Sequence, residues 1–318
     1  MKISNSKVVI IGAGMVGSAT AYSLIVQGIC AEVVLVDRNM DKAIGEALDL
    51  QHGIEFLNRN VHVRAGNYDE CKDADVVVIT ASIPMHNIKS RNELLDQNII
   101  IMDSVVAQIM ASGFDGHIIV VSNPVDILSY YVYKKSGLPK NQVMGTGTSL
   151  ETARLKKVIG NIVNIDPRSV HAYVIGEHGE NMTVPWSHVL VGGKGFIEAV
   201  EDDIIRFKDV NLDKIVEETA QAGFEVYNRK GSTQYGIASA TTGIIKSILH
   251  DERRMISISA LLDGEYGEID LFCGVPAILG KEGIIEIAQY HLTDDEAARF
   301  KKSTMAIKAH IAGLRLED

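Results

Sequence analysis

Two short stretches carry residue types suited to proton transfer and anion binding. Gly176-Glu177-His178-Gly179-Glu180 sets a histidine between glycines, directly after an apolar run that ends at Ile175. A histidine flanked in this way at a strand end points its imidazole into a cleft at little steric cost, and imidazole is the side chain suited to proton transfer near neutral pH. Thr148-Ser149-Leu150-Glu151-Thr152-Ala153-Arg154 puts Glu151 and Arg154 three apart, on one helical face. Such a face presents a carboxylate able to orient a histidine and a guanidinium able to grip a substrate carboxylate with two parallel bonds. Each cluster alone also has a plainer reading: a capping or core histidine, and an ion pair on a helix surface.

A third stretch points to a dinucleotide. Gly12-Ala13-Gly14-Met15-Val16-Gly17 follows the run Val8-Val9-Ile10-Ile11 and opens a helical pattern. Gly12 permits the tight turn, Gly14 lets backbone approach a pyrophosphate, Gly17 lets helix and strand pack closely, and the helix N-terminus adds positive dipole. Asp37 closes the second strand about 20 residues on, where a carboxylate accepts hydrogen bonds from a ribose diol. Its charge repels a 2′-phosphate, so NAD is expected rather than NADP; neighbouring Arg38 reads as a surface base.

These residues need a scaffold, and the first half supplies it. Short β-branched runs at Val8 to Ile11, Val33 to Val36, Val61 to Val63, Val76 to Ile79 and Ile118 to Val121 alternate with helical stretches. Alternation of this kind predicts an α/β fold with a doubly wound parallel sheet of the Rossmann type, helices on both faces. After Val143-Met144-Gly145-Thr146-Gly147 the pattern changes to helix, then to strands that include Val170 to Ile175 and the vicinity of Trp186 and His188, with longer helices between. We place a dinucleotide-binding domain at 1–146 and an α+β catalytic domain at 147–318. The last segment opens with Thr293-Asp294-Asp295-Glu296, a capping box, and continues with Phe300, Thr304, Ile307, Ile311 and Leu314 on one stripe, which predicts a helix packed on the second domain. With six prolines in all and no Pro-rich linker, the domains are expected to dock tightly.

Composition narrows the partners. The chain has 318 residues, 46% hydrophobic and 23% charged, and a formal charge of −10, which argues against a nucleic-acid partner because such binding needs a basic face. Its three cysteines, Cys30, Cys71 and Cys273, share no metal-type spacing, so no metal site is expected, and Cys30 and Cys273 sit in apolar sequence as buried thiols do. The N-terminus carries no signal-peptide pattern, and no apolar stretch approaches the roughly 20 residues of a membrane span. A cytoplasmic protein is expected.

Taken together the motifs resemble the NAD-dependent L-2-hydroxyacid dehydrogenases, the lactate and malate dehydrogenase family. The resemblance is carried by G-A-G-M-V-G at 12–17, V-S-N-P-V-D at 121–126, G-T-G-T-S-L-E-T-A-R at 145–154, I-G-E-H-G at 175–179 and K-G-S-T at 230–233, and it covers essentially the whole chain. It implies an oxidoreductase in which His178 is the acid/base, Arg154 holds the substrate carboxylate and Arg91, on a closing loop, polarises the carbonyl. Asn123 would bond near the reacting carbonyl and Thr233 would line the pocket. Gly12, Gly14, Met15, Val16, Gly17, Asp37, Thr80, Ala81 and Asn123 would hold NAD. A bacterial L-lactate dehydrogenase of glycolysis and fermentation, a homotetramer or homodimer, is the nearest member implied.

The chain departs from the family pattern in places. Glu151 stands where relatives usually carry aspartate, so the partner of the histidine is one methylene longer. Met85, six residues before Arg91, stands where glutamine resembles a lactate enzyme and arginine a malate enzyme. An apolar methionine cannot pair a second carboxylate, so oxaloacetate is expected to be a poor substrate, and a branched 2-oxo acid of the 2-hydroxyisocaproate type is an alternative to pyruvate. Asn87 and Ile88 replace the usual Pro-Gly of the loop. A rival of another class is an NAD-sensing protein without catalysis. His171 matches the family's effector histidine, but Lys156 replaces the effector arginine, so activation by fructose 1,6-bisphosphate is expected to be weak.

Overall fold

The computed structural model describes residues 6–83 and 91–314, without the side chains of residues 91 and 92. The first half runs β1 (Lys7–Ile11), α1 (Met15–Gln27), β2 (Glu32–Val36), α2 (Met40–Gly53), β3 (His62–Ala65), β4 (Val76–Ile79), α3 (Arg91–Ala111), β5 (His117–Val120), α4 (Val125–Ser136) and β6 (Val143–Gly145). Its strands pair in parallel in the order β3-β2-β1-β4-β5-β6. Order therefore reverses between β1 and β4, which opens a crevice at their carboxyl ends where α/β sheets bind ligands. Val8, Val9, Ile10 and Val76 to Ile79 are fully buried on both faces, as the unbroken β-branched runs require. The third strand begins one residue later than the run Val61 to Val63 suggests.

The second half runs α5 (Ser149–Val163), β7 (Val170–His171), β8 (Leu190–Val191), β9 (Lys194–Gly195), α6 (Phe196–Asp202), α7 (Leu212–Lys230), α8 (Tyr235–Leu249), β10 (Arg254–Asp263), β11 (Ile269–Gly280), β12 (Gly283–Ile287) and α9 (Asp294–Ile311). Its long strands do not form a sheet of their own. β10 pairs antiparallel to β6 at Ser259 and Gly145, and β11 and β12 follow, giving one 9-stranded sheet; β7, β8 and β9 form a small separate one. One core accordingly runs through both halves and includes Val9, Leu128, Ile258, Phe272, Phe300 and Ile307. A smaller core around Leu155, Ile159, Val174 and Phe196 sits under α5.

Two local expectations differ. The run Val170 to Ile175 pairs only at Val170 and His171, and Ile175 bridges singly to Thr183. Trp186 to His188 is a 3-10 turn, because Pro185 precedes it and the Ser187 N–H donates to Glu296 Oε1 (2.9 Å) instead of a strand partner. That same Glu296 completes the capping box of α9, accepting the Thr293 N–H at 2.9 Å. The stripe on α9 packs as expected at Phe300, Thr304 and Ile307, but against α4 of the first half as well as β11. Among the described residues α3 is long and apolar enough to cross a membrane by composition, yet Met102, Val105, Val106 and Ile109 lie in the common core.

An ion network ties the amino ends of the parallel strands. Lys7, 4% exposed, reaches Glu70 (2.9 Å) and Asp73 (2.6 Å), while Arg64 reaches Glu32 (2.7 Å) and both oxygens of Glu70. Hydrogen bonds from Arg64, against partial burial and with help from Lys7, hold the Glu70 carboxyl down at about 2. The native state thus binds this proton more weakly than the unfolded chain. The stability it contributes is complete above about pH 4.5 and lost as pH falls through 2. Substituting Glu70→Gln should cost about 1–2 kcal/mol at pH 7, after allowance for solvent screening, and nearly nothing at pH 2. Urea unfolding of both proteins at the two pH values measures it; an equal loss at both would assign the effect to packing.

Candidate active site

At the switch point β1 runs into Gly12, whose φ of +110° makes the turn. A Cβ there would lie 2.9 Å from Ala81 N and Thr80 Oγ1, and one at Gly17 would lie 1.9 Å from the Gly12 carbonyl oxygen. Thr80 Oγ1 donates to that same carbonyl at 2.8 Å, fastening the turn to the end of β4. A Cβ on Gly14 would meet nothing within 4 Å, and no side chain caps α1, so the first-turn N–H groups are left for a ligand. Met15 is exposed and Val16 half-buried at this helix start. Asp37, just beyond β2, accepts from Ala13 N (2.8 Å) and Asn39 N (2.9 Å), which sets its carboxylate beside the glycine turn; Arg38 is exposed.

The substrate-side residues come from α5 and from the loop after Ile175. Glu151, 3% exposed, puts Oε1 3.1 Å from His178 Nδ1 and 3.3 Å from Arg154 Nη1, so one carboxylate oxygen serves both cations. The imidazole is 26% exposed. The extra methylene of glutamate is accommodated, although neither His178 Nδ1 nor Glu151 Oε2 has an aligned hydrogen-bond partner among the described residues. Arg154 lies along α7 at Gly223, where a Cβ would come 3.3 Å from Nη2. The loop is clamped from behind: Glu177 N–H donates to Ser303 Oγ of α9 (2.6 Å) and His178 N–H to Asp126 Oδ2 of α4 (2.8 Å).

Burial by itself would strip the proton from His178. The Glu151 carboxylate reverses that, Asp126 adds to it and Arg154 opposes, and the imidazole rises to about 9. Burial likewise pushes Glu151 up, but His178 and then Arg154 bring it below the ordinary carboxylate range. Near pH 7 the pair is therefore imidazolium and carboxylate, a proton donor held ready.

Asn123 is exposed after β5, and its carbonyl accepts from Asn98 Nδ2 at 2.7 Å. Asn98 is fully buried on α3 and also accepts from Ile83 N (3.1 Å), so it ties both loops at the crevice. Neither Asn98 nor Asp126 was singled out in the sequence; an amide directly before Ile99-Ile100-Ile101, and an acid inside V-S-N-P-V-D, were the available signals. Thr233 is half-buried in the turn between α7 and α8. His171 is exposed on β7 and Lys156 half-buried on α5, which packs against β7; burial and then Arg254 lower the Lys156 ammonium. Met85, Asn87 and Ile88 lie outside the described residues, as does the side chain of Arg91, whose backbone opens α3.

Residues 6–145 match the family pattern of the lactate/malate dehydrogenase NAD binding domain, and residues 148–315 match that of the lactate/malate dehydrogenase alpha/beta C-terminal domain. The chain belongs to the lactate/malate dehydrogenase family. It is 49% identical over 311 residues to L-lactate dehydrogenase 3 of Bacillus cereus, covering 98% of each chain. It is 44% identical over 316 residues to an L-lactate dehydrogenase of Lactococcus lactis subsp. cremoris, covering 99% of this chain and 100% of that one. A crystal structure of the minor L-lactate dehydrogenase from Enterococcus mundtii in a ligand-bound form superposes with a TM-score of 0.95 at 45% identity, over 98% and 99% of the two chains. As a member of the family the protein is an NAD-dependent dehydrogenase, and its residues fit the cofactor. The cradle that Cβ atoms at Gly12 and Gly17 would fill, the uncapped start of α1 and the carboxylate of Asp37 match pyrophosphate and ribose diol in turn.

The charge balance gives a direct expectation. Replacing Glu151→Gln removes the charge that outweighs burial, so the His178 pKa should fall from about 9 toward its ordinary 6.5. Titration of the 13C-labelled imidazole by NMR measures it; a value that stays near 9 in the variant would show that the proton is held by something else.

Proposed function

We propose that this chain is a cytoplasmic L-lactate dehydrogenase that reduces pyruvate to L-lactate with NADH and so regenerates NAD for glycolysis in fermentation. The observation that carries the reading is the buried Glu151, with His178 and Arg154 on one of its oxygens, in a chain 44–49% identical to curated L-lactate dehydrogenases. We take 1–146 as the dinucleotide-binding domain and 147–318 as the catalytic domain, in keeping with the two matched family patterns.

NAD(H), when bound, supplies the hydride for C2 of the 2-oxo acid and takes it back in reverse. The protein handles the carboxylate, the proton and the water. Arg154 has Nη1 held by Glu151 and Nη2 without a hydrogen-bond partner among the described residues, and a guanidinium so fixed grips a carboxylate with little entropy left to lose. With His178 Nδ1 turned to Glu151, Nε2 is the nitrogen that passes a proton to the ketone oxygen as the alcohol forms, and recovers it during oxidation. Asn123, held through Asn98, orients the carbonyl and Thr233 bounds the side-chain pocket; the family resemblance gives Arg91 the part of polarising the carbonyl and Met85 that of meeting the substrate side chain. An apolar methionine suits the methyl of pyruvate and leaves a second carboxylate unpaired, which disfavours oxaloacetate. A sensor without chemistry would not need a buried carboxylate raising the pKa of its histidine.

The proposal extends to assembly and control. Met40, Ile44 and Leu48 repeat every four residues on α2 and are 42%, 42% and 46% exposed, an apolar stripe of the kind a second copy covers. Lys156, as a point charge, and His171, as a hydrogen-bond donor, stand on packed elements and would bind a phosphate of fructose 1,6-bisphosphate, giving a weak response.

The test is NADH oxidation with pyruvate, 4-methyl-2-oxopentanoate and oxaloacetate, with and without fructose 1,6-bisphosphate, on protein sized by light scattering. Pyruvate should give the highest kcat/KM and the effector less than about a tenfold change. His178→Ala should lower kcat by at least about a hundredfold while NADH still binds, and Arg154→Lys should raise KM about 10–100-fold. Preference for the branched acid would make Met85 the specificity device, and no turnover with any of the three would favour the sensor.

A further inference from the structure

Asp126 is a buried carboxylate beside His178 that takes no part in the reaction steps given above. It is the second residue of α4, directly behind Asn123 and Pro124, and is 2% exposed. Its Oδ2 accepts the backbone N–H of His178 at 2.8 Å, and its Oδ1 accepts Ser259 Oγ–H at 2.6 Å. Ser259 is itself fully buried, and the pairing of Ser259 with Gly145 where β10 joins β6 delivers its hydroxyl to that spot. Three elements from both halves of the chain thus meet on one carboxyl group.

Two hydrogen bonds do not account for a charge in such a place. A neutral amide would satisfy either donor, whereas an ionised carboxylate removed from water is costly unless its charge does something. The first turn of α4 favours a negative charge through its dipole, and among the described residues the cation that acts on Asp126 is the imidazolium of His178. His178 is faced by Glu151 and Arg154 on α5 and by Asp126 on α4; Asp126 is faced by His178 and Glu177 on the loop and by Cys273 on β11.

We propose that Asp126 is a second positioning residue of the acid/base machinery, fixing the His178 backbone and supplying a negative charge, additional to that of Glu151, that keeps the proton on the imidazole. Glu151 acts on the ring edge through Nδ1 and Asp126 acts from the backbone side. Burial lifts the Asp126 carboxyl to about 6, against the pull of Ser259 and His178, so its charge is complete only above that pH. Below it, a neutral Asp126 still holds the loop but no longer supports the imidazolium.

This inference rests on His178 being the proton donor, and its test does not require turnover. In the NADH complex of the full-length protein, 13C NMR of the His178 ring should show a main inflection near 9 and a second, smaller one near 6 as Asp126 ionises. Asp126→Asn should abolish the second inflection and lower the main one by at least about half a pH unit. The alkaline limb of kcat/KM for pyruvate should move by the same amount, with the NADH Kd unchanged. Ser259→Ala disturbs the same buried contact but leaves the charge in place above pH 8, so it should lower kcat without moving the limb. A single inflection in the unaltered protein, or equal pH profiles for the two variants, would overturn the proposal, and the first of these readings needs no variant to fold. Absence of pyruvate turnover with the NMR inflections intact would instead count against the lactate reading alone.

Discussion

Glu151 carries a negative charge at 3% exposure, and the rest of the site is built around making that tolerable. A lone carboxylate at such depth would take up a proton. His178 at 3.1 Å and Arg154 at 3.3 Å on the same oxygen prevent this, and each is held in turn. Arg154 lies against α7 at a residue without a side chain, and the His178 loop is gripped by α4 and α9. The fold is arranged for this burial: β10 extends the parallel sheet instead of starting another, which brings α4, α5 and α9 around one point. The His178 loop, entered at Ile175, and the dinucleotide crevice rest on one core, while α5 with Glu151 and Arg154 packs on the smaller one beside it.

Electrostatics also explains how an acidic chain handles anionic ligands. A net charge of −10 repels a 2-oxo acid at long range, but screening confines that effect to about 8–10 Å. Within the site Arg154 and a protonated His178 set the local sign. Asp37, beside the glycine turn, carries the opposite sign, and a carboxylate there is compatible with a ribose diol and incompatible with a phosphate in its place.

Much of this was legible in the sequence wherever one residue type had one physical use. Unbroken β-branched runs gave the parallel strands, the glycine turn after the first of them gave the NAD-binding domain, and Thr293 with Glu296 gave the start of α9. What could not be read depended on contacts between distant segments. Val170 to Ile175 looks like a strand but finds partners at only a few positions, and Trp186 to His188 becomes a turn because a carboxylate over 100 residues away takes its amide. That β10 would join β6 is a matter of pairing, not of local pattern. Asn98 and Asp126 were hidden for a related reason: each stands among other polar residues on its helix, and only the packing of distant segments selects it for burial.

The central claim is that a buried carboxylate keeps His178 protonated so that it can meet a 2-oxo acid as a donor. The most direct check is to count protons when oxamate, an unreactive mimic of pyruvate, binds the NADH complex, using calorimetry in buffers of different ionisation enthalpy. With the free imidazole titrating near 9, uptake should be close to zero at pH 7 and rise toward about one proton per site by pH 10. Uptake that stays near zero across this range, with oxamate still bound, would contradict the account.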